Sequence, residues 1–232
     1  MKRQILILHG WGLQGSTYER LVSLFPSIYS VHVLDFPGFG KEPLLQTHLY
    51  LCDYVEFVRN FIRAKHIKSA IIIGHSFGGR VGVKLAFEYP DLVEKLILTG
   101  TPIIRHFTIR QRVGKIVAVI GKGVVSILPG KIGELLRKAL YRFIGEYDYY
   151  KAGSLKKVFI NIVNEDLTVY ARNISTPVFL VWGKDDSITP SSDVADIQKI
   201  MPHAQGVIVP GTAHGLPYRN PELFYKEIKS FI

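Results

Sequence analysis

Short runs of Ile, Val and Leu recur along the chain without polar alternation: Ile5–Leu8, Val31–Leu34, Ala70–Ile73, Leu96–Leu98, Val178–Val181 and Gly206–Val209. A strand with one face in water alternates apolar and polar residues, whereas a strand covered on both faces is apolar throughout. These runs therefore predict buried strands of a parallel sheet. Between them, apolar residues return at helical spacing. Tyr18–Phe25 is one such segment, and Leu49, Val55, Phe57, Val58, Phe61 and Ile62 mark a longer one. Phe77–Tyr89 is closed by Pro90 and Val194–Met201 by Pro202, while Pro221–Ile232 opens on a proline suited to a first helical turn. Strand and helix in alternation predict an α/β fold, a mainly parallel sheet of about six strands with helices on both faces and right-handed crossovers.

One connection breaks this rhythm. From Thr101 to Thr176, 76 residues pass with helical rather than strand character, as in Ile116–Ile120, Ile132–Phe143 and Leu155–Val163. A structureless loop of that length inside a compact domain is improbable, so the segment reads as a small helical subdomain set between two strands. The core then comprises residues 1–100 and 177–232, and the insert residues 101–176.

Composition narrows the class. At 232 residues the chain suffices for one well-buried domain, and 47% hydrophobic with 21% charged residues is ordinary for a folded protein. The single cysteine, Cys52, cannot close an internal disulfide, so no oxidising compartment is required. Met1-Lys2-Arg3-Gln4 is basic like the start of a signal peptide, but the apolar run behind it, Ile5–Leu8, is too short for one; the expected location is cytoplasmic. The net charge of +10 is unevenly placed, because the insert holds 13 Lys and Arg against 5 Asp and Glu and so carries +8 of it. The insert has no recognisable nucleic-acid-binding motif, so no nucleic-acid partner is expected and a solvated basic surface accounts for the charge.

The chemistry concentrates at Ile73-Gly74-His75-Ser76-Phe77-Gly78-Gly79, a G-x-S-x-G pattern that follows a strand and opens a helix. A serine on so tight a turn is forced into a strained backbone conformation, tolerable where Gly74 and Gly78 leave room. The turn presents the Ser76 hydroxyl at the carboxyl end of the sheet, beside a helix amino terminus whose N–H groups face a developing oxyanion. A hydroxyl needs a base. Of the eight histidines, His214 lies on a loop after a late strand, in Pro210-Gly211-Thr212-Ala213-His214-Gly215. His75 is read as packing beside the serine; His32, His48, His66, His106 and His203 sit in ordinary strand, helix or loop-edge settings. An orienting carboxylate is expected on the preceding loop, Trp182-Gly183-Lys184-Asp185-Asp186-Ser187-Ile188-Thr189-Pro190. Asp186 is favoured because it lies further round the turn, with Ile188 and Pro190 placed to bury it, leaving Asp185 as a turn or capping residue. The order Ser, Asp, His differs from the trypsin-like and subtilisin-like orders. A second oxyanion donor is expected from His9-Gly10-Trp11-Gly12, with the Trp11 and Phe77 N–H groups converging; one such donor is typically worth roughly 3 kcal/mol in the transition state.

These segments, with Asp35-Phe36-Pro37-Gly38-Phe39-Gly40, make the chain similar to the α/β-hydrolase superfamily, in its single-domain, cap-bearing branch of serine esterases and related hydrolases. The resemblance covers nearly the whole length. It implies that the acid lies four residues after the tryptophan, which is Asp186, that Asp35 to Gly40 is a structural loop, and that residues 101–176 form a cap over the site. Two departures stand out. Family members usually carry two further strands before the His-Gly loop, whereas eight residues precede His9 here, so all six strands are expected to be parallel. Dehalogenase and epoxide-hydrolase relatives use aspartate where this chain has Ser76, which makes those activities improbable.

The expected activity is therefore cofactor-independent hydrolysis of carboxylic esters of small to medium, largely apolar substrates through an acyl-enzyme. Thioester, amide or C–C cleavage is open to the same residues, and a catalytically idle ligand-binding protein is the rival from another class. No metal is implied: the chain lacks His-Glu-x-x-His, Cys-x-x-Cys and Walker A motifs. Apolar insert residues such as Ile116, Val119, Ile120 and Ile127, with Tyr141 and Phe143, are expected to contribute a substrate pocket. The stretch Val113–Leu128, amphipathic with Lys115 and Lys122, is the candidate for contact with an anionic membrane surface. Oligomeric state is not legible.

Overall fold

The computed structural model describes residues 2–44, 46, 48–104 and 152–232. The helices expected at Ile116–Ile120 and Ile132–Phe143, the stretch Val113–Leu128, His106, Tyr141 and Phe143 lie outside the described residues.

Six strands form one parallel sheet: β1 (Arg3–Leu8), β2 (Tyr29–Leu34), β3 (Ala70–His75), β4 (Val93–Thr99), β5 (Val178–Gly183) and β6 (Gln205–Val209). Their order across the sheet is β2-β1-β3-β4-β5-β6, and every pairing is parallel. The burial gradient matches the hydrophobic runs. All six residues of β3 are buried, whereas the edge strands β2 and β6 are largely part-exposed. Successive side chains point to opposite faces. Leu6, Leu8, Ile72, Leu96, Leu98 and Leu180 therefore enter one core, while Ile5, Ile7, Ile71, Ile73, Ile97 and Val181 enter the other.

Helices cover both faces. The segment Tyr18–Phe25 is less regular than its spacing predicts: a 3₁₀ turn, Gly15–Tyr18, precedes a single turn of helix, α1 (Glu19–Val22). Helix α2 (Leu51–Ala64) starts where the Asp53 carboxylate accepts the Tyr50 N–H at 2.7 Å, satisfying an amide that the helix itself cannot. Helix α3 (Phe77–Glu88) follows β3 directly, and almost its whole length is buried between the sheet and its neighbours. After β4, the described part of the insert contains α4 (Lys156–Asn164), close to the predicted Leu155–Val163, and α5 (Thr168–Arg172). Helix α6 (Asp193–Ile200) lies between β5 and β6, and α7 (Leu216–Arg219) and α8 (Pro221–Ile228) close the chain. Among the described residues no helix is long and apolar enough to cross a membrane.

A buried cation ties the insert to the core. Arg80, on α3 one turn beyond Ser76, donates to the Pro102 carbonyl at 2.5 Å, the Ile162 carbonyl at 2.8 Å and the Glu165 carbonyl at 2.5 Å. The last two belong to the carboxyl end of α4, where unpaired carbonyls and the negative end of the helix dipole favour a cation. Lys84, one turn further along α3, pairs with the Glu165 carboxylate.

Candidate active site

The turn from β3 into α3 carries the backbone strain expected of it. Ser76 has φ +51° and ψ −112°, a conformation that costs an L-residue energy and persists only where its surroundings enforce it. The Ser76 N–H donates to the Thr99 carbonyl at 2.9 Å, and the Gly78 N–H to the His9 carbonyl at 3.0 Å. A Cβ on Gly74 would lie 2.5 Å from the Gly79 Cα, so helix and strand meet at a distance only glycine permits. Between Ala70 and Ala86, Ser76 is the one residue that is not fully buried. The turn thus exposes the single residue whose hydroxyl is of interest.

The loops after β5 and β6 pass in contact. The Lys184 N–H donates to the Val209 carbonyl at 3.0 Å and the Asp185 N–H to the Thr212 carbonyl at 2.9 Å. The Trp182 indole, fully buried, donates to the Thr189 carbonyl at 3.0 Å and holds the first of these loops against β5. These ties bring Asp186 to His214. Nδ1 of His214 donates to Oδ2 of Asp186 at 2.8 Å. Oδ1 of Asp186 accepts the Ile188 and Thr189 N–H groups, both at 2.9 Å, and the Thr189 hydroxyl donates to Oδ2 at 2.8 Å. Burial on its own would raise the Asp186 pKa, but the His214 ring and these donors outweigh it and hold the carboxyl below its ordinary value. Because Nδ1 faces a carboxylate and must donate, Nε2 of the neutral ring carries the lone pair.

Asp185 is exposed and takes part through its main chain, so of the two acids Asp186 meets the histidine. The means of its burial differs from expectation. The Ile188 side chain is 61% exposed and Pro190 is exposed as well. The carboxylate is enclosed instead by the amides of residues 188 and 189 and by the Thr189 hydroxyl. An acid followed three residues later by threonine is a readable local hydrogen-bonding pattern, and it is the signal in the sequence that points to Thr189.

The loop after β1 reaches the first turn of α3. The Trp11 ring packs edge-on against Phe77, Phe39 and Phe159, with centroids at 5.6, 4.9 and 5.0 Å. His9 is fully buried and bonded at both nitrogens, Nδ1–H to the Gly10 carbonyl at 2.8 Å and Nε2 accepting the Phe36 N–H at 3.0 Å. Burial lowers its pKa, and it stays neutral as a link between the loops after β1 and β2. The Asp35 carboxylate accepts the Gly15 N–H at 2.5 Å and the Lys41 N–H at 3.0 Å, and Gly40, at φ +56°, leaves it room, in keeping with the structural part read for that loop. Among the hydrogen bonds between described residues, none uses the N–H of Trp11 or of Phe77.

Two further glycines shape the site, of which Gly100 carried no signal in the sequence. Gly100, after β4, has φ +55°, and a Cβ there would lie 2.8 Å from both Nδ1 and Cε1 of His214 and 3.3 Å from Oδ2 of Asp186. Gly79 likewise has no room for a Cβ, because the Thr101 side chain occupies that space. A cleft of 420 Å³ lined by Gln14, Gly15, Ser16, Glu19, Val22, Val33, Asp35 and Lys41 shares no residue with Ser76, Asp186 or His214.

A strained serine between β3 and α3, with a buried acid–histidine pair on the loops after β5 and β6, coincides with a sequence-wide match: the model of the alpha/beta hydrolase family aligns with residues 5–227. This chain belongs to the alpha/beta hydrolase family. It is 24% identical over 251 residues to the pimeloyl-[acyl-carrier protein] methyl ester esterase of Vibrio atlanticus, covering 98% of this chain and 93% of that one. It is 26% identical over 243 residues to the 2-(acetamidomethylene)succinate hydrolase of Mesorhizobium japonicum, covering 98% of this chain and 87% of that one. Among solved structures, a thermophilic esterase from Thermogutta terrifontis superposes with a TM-score of 0.75 at 19% identity, covering all of this chain and 89% of that one. A bacterial membrane phospholipase A gives a TM-score of 0.76 at 20% identity, covering 99% of this chain and 78% of that one. At such identities the structural matches speak for the α/β-hydrolase fold.

Proposed function

We propose that this alpha/beta hydrolase is a serine esterase that cleaves carboxylic esters of small to medium, largely apolar substrates through an acyl-enzyme. The observation that carries the reading is the bond at 2.8 Å between the buried Asp186 carboxylate and Nδ1 of His214, which leaves Nε2 of a part-exposed imidazole as the available base. In the proposed cycle, Nε2 takes the Ser76 proton as Oγ attacks the acyl carbon. Asp186 holds the tautomer and stabilises the imidazolium. The Trp11 and Phe77 N–H groups bind the oxyanion, and His214 returns the proton to the departing alkoxide. A water deprotonated by His214 then attacks the acyl-serine and releases the acid. Both curated relatives are hydrolases by name, and one is an ester esterase.

In this reading residues 101–176 form a cap that selects the acyl chain. The contacts of Arg80 and Lys84 with α4 and Glu165 support it, because they seat the end of the insert on α3, the helix that follows Ser76. The test is a series of p-nitrophenyl esters from acetate to palmitate, assayed with wild type, Ser76→Ala and Asp186→Asn. Wild type should prefer short to medium chains. Ser76→Ala should lower kcat by about 10⁶-fold and Asp186→Asn by about 10⁴-fold. Equal activity in wild type and Ser76→Ala would refute the mechanism.

A further inference from the structure

His75 is more than packing. It is the last residue of β3, and it is almost entirely buried. Its Nε2 lies 3.0 Å from the main-chain carbonyl of His214, which can only accept, so Nε2 carries the proton. Nδ1 must then accept, and the fully buried Tyr18 hydroxyl donates to it at 2.8 Å. The same hydroxyl oxygen accepts the Gly10 N–H at 3.3 Å. A continuous chain of hydrogen bonds therefore runs from Gly10, beside Trp11, through Tyr18 and His75 to the main chain of His214. Gly10 has no room for a side chain here, since a Cβ would lie 2.8 Å from Nδ1 of His75. The Tyr218 ring closes the remaining side at 5.8 Å from the imidazole.

We propose that Tyr18 and His75 form a buried positioning bridge that holds the loop bearing the Trp11 N–H and the loop bearing His214 in one register. The inference rests on the serine-hydrolase reading, since it supposes that these two loops must meet about one substrate atom. The sheet cannot supply that register. Strands β1 and β6 are separated by β3, β4 and β5, so no ladder links the loops that follow them. An apolar pair would fill the same volume without polar atoms to satisfy, whereas this pair has its nitrogens and hydroxyl bonded across two separate loops. Burial holds the His75 pKa down to about 3, so the bridge keeps one tautomer at any working pH. Its enclosure, with both ring nitrogens bonded, sets it apart from the part-exposed His214 as a base. Both are positioning residues, acting through the main chains they hold.

The test uses Tyr18→Phe, which removes only a hydroxyl, His75→Phe, which removes both nitrogens, the double variant, and His75→Gln, which retains an N–H able to reach the His214 carbonyl. Two-bond ¹H–¹⁵N spectra of the wild type should show His75 protonated at Nε2 and bare at Nδ1. Phosphonylation of Ser76 by a small fluorophosphonate should slow by roughly tenfold or more in each single variant, with KM for p-nitrophenyl butyrate little changed. The double variant should be no slower than the worse single one, because both break the same bridge, and His75→Gln should recover part of the rate. Thermal midpoints measured alongside separate lost register from lost folding. The Nδ1–H tautomer, or Tyr18→Phe labelled at the wild-type rate, would overturn the bridge while leaving the esterase reading intact. Wild-type Ser76 that resists the probe, with ester hydrolysis surviving in Ser76→Ala, would overturn the esterase reading; the tautomer alone then decides the bridge.

Discussion

Gly100→Ala probes the space on which the acid–base pair depends. Two costs can be worked from the structure. First, φ is +55°, and a left-handed conformation costs an L-residue about 1–2 kcal/mol. Second, the new Cβ would lie 2.8 Å from Nδ1 and Cε1 of His214, whereas unstrained carbon contacts need about 3.5–4.0 Å. The imidazole must retreat by roughly 0.7–1.2 Å, straining its bond to a carboxylate that three other hydrogen bonds hold in place. Together these predict a stability loss of about 2–3 kcal/mol, or a fall in Tm of roughly 4–12 °C for a chain of this size. A displacement near 1 Å at a catalytic group costs on the order of 100-fold in rate. Gly153→Ala is the control, because Gly153 has φ +51° with nothing within 4 Å of its Cβ, so it carries the backbone cost without touching the imidazole. The assay is kcat/KM for p-nitrophenyl butyrate beside calorimetric Tm. Gly100→Ala should fall about 100-fold in kcat/KM and Gly153→Ala should not. If the two variants lost Tm alike and kept the same kcat/KM, the argument that Gly100 makes room for a working His214 would be wrong.

Two further outcomes follow from buried polar groups. His75 has its pKa held from an ordinary 6.5 down to about 3, first by burial and then by the neighbouring His214, with Asp186 and His9 also facing it. Between those values the unfolded chain binds a proton that the folded one refuses, so stability falls as pH drops through that window, by about 1.4 kcal/mol per pH unit for this group. Asp186, held below 3.8, loses its contribution only at lower pH, and His9 adds a slope of the same sign as His75. Urea unfolding between pH 4.5 and 6.5 should therefore show a shallower slope for His75→Phe than for wild type; identical slopes would contradict the assignment. Arg80→Met removes the donor from three main-chain carbonyls and should cost about 3 kcal/mol, with amide hydrogen exchange rising across α4 while the central strands stay protected. Unchanged exchange in Lys156–Asn164 would show that α4 is held by other contacts.

Much of the fold was legible because its signals are local. Strands buried on both faces cannot tolerate polar residues, so Ala70–Ile73 and Val178–Val181 announce themselves as unbroken apolar runs wherever they sit. The turn at Ser76 was legible in part for the same reason: Gly74 answers to Gly78 and Gly79 a few residues on, whereas Gly78 makes room for the distant backbone of Leu8 and His9. Boundaries and irregular turns were less so. The segment from Tyr18 has helical spacing, yet it opens on a 3₁₀ turn that buries Tyr18.

What the chain determined by itself was the alternation of elements, the strained serine and the residue types fit to serve it, since backbone sterics and hydrophobic period act between near neighbours. Tertiary structure alone decided other partnerships: that Thr189 and two main-chain amides enclose the Asp186 carboxylate, that Gly100 leaves room for His214 beside it, and that Tyr18 and His75 join loops three strands apart. Those depend on strand order, and strand order is set by the sum of many long-range burials that no short window of residues contains.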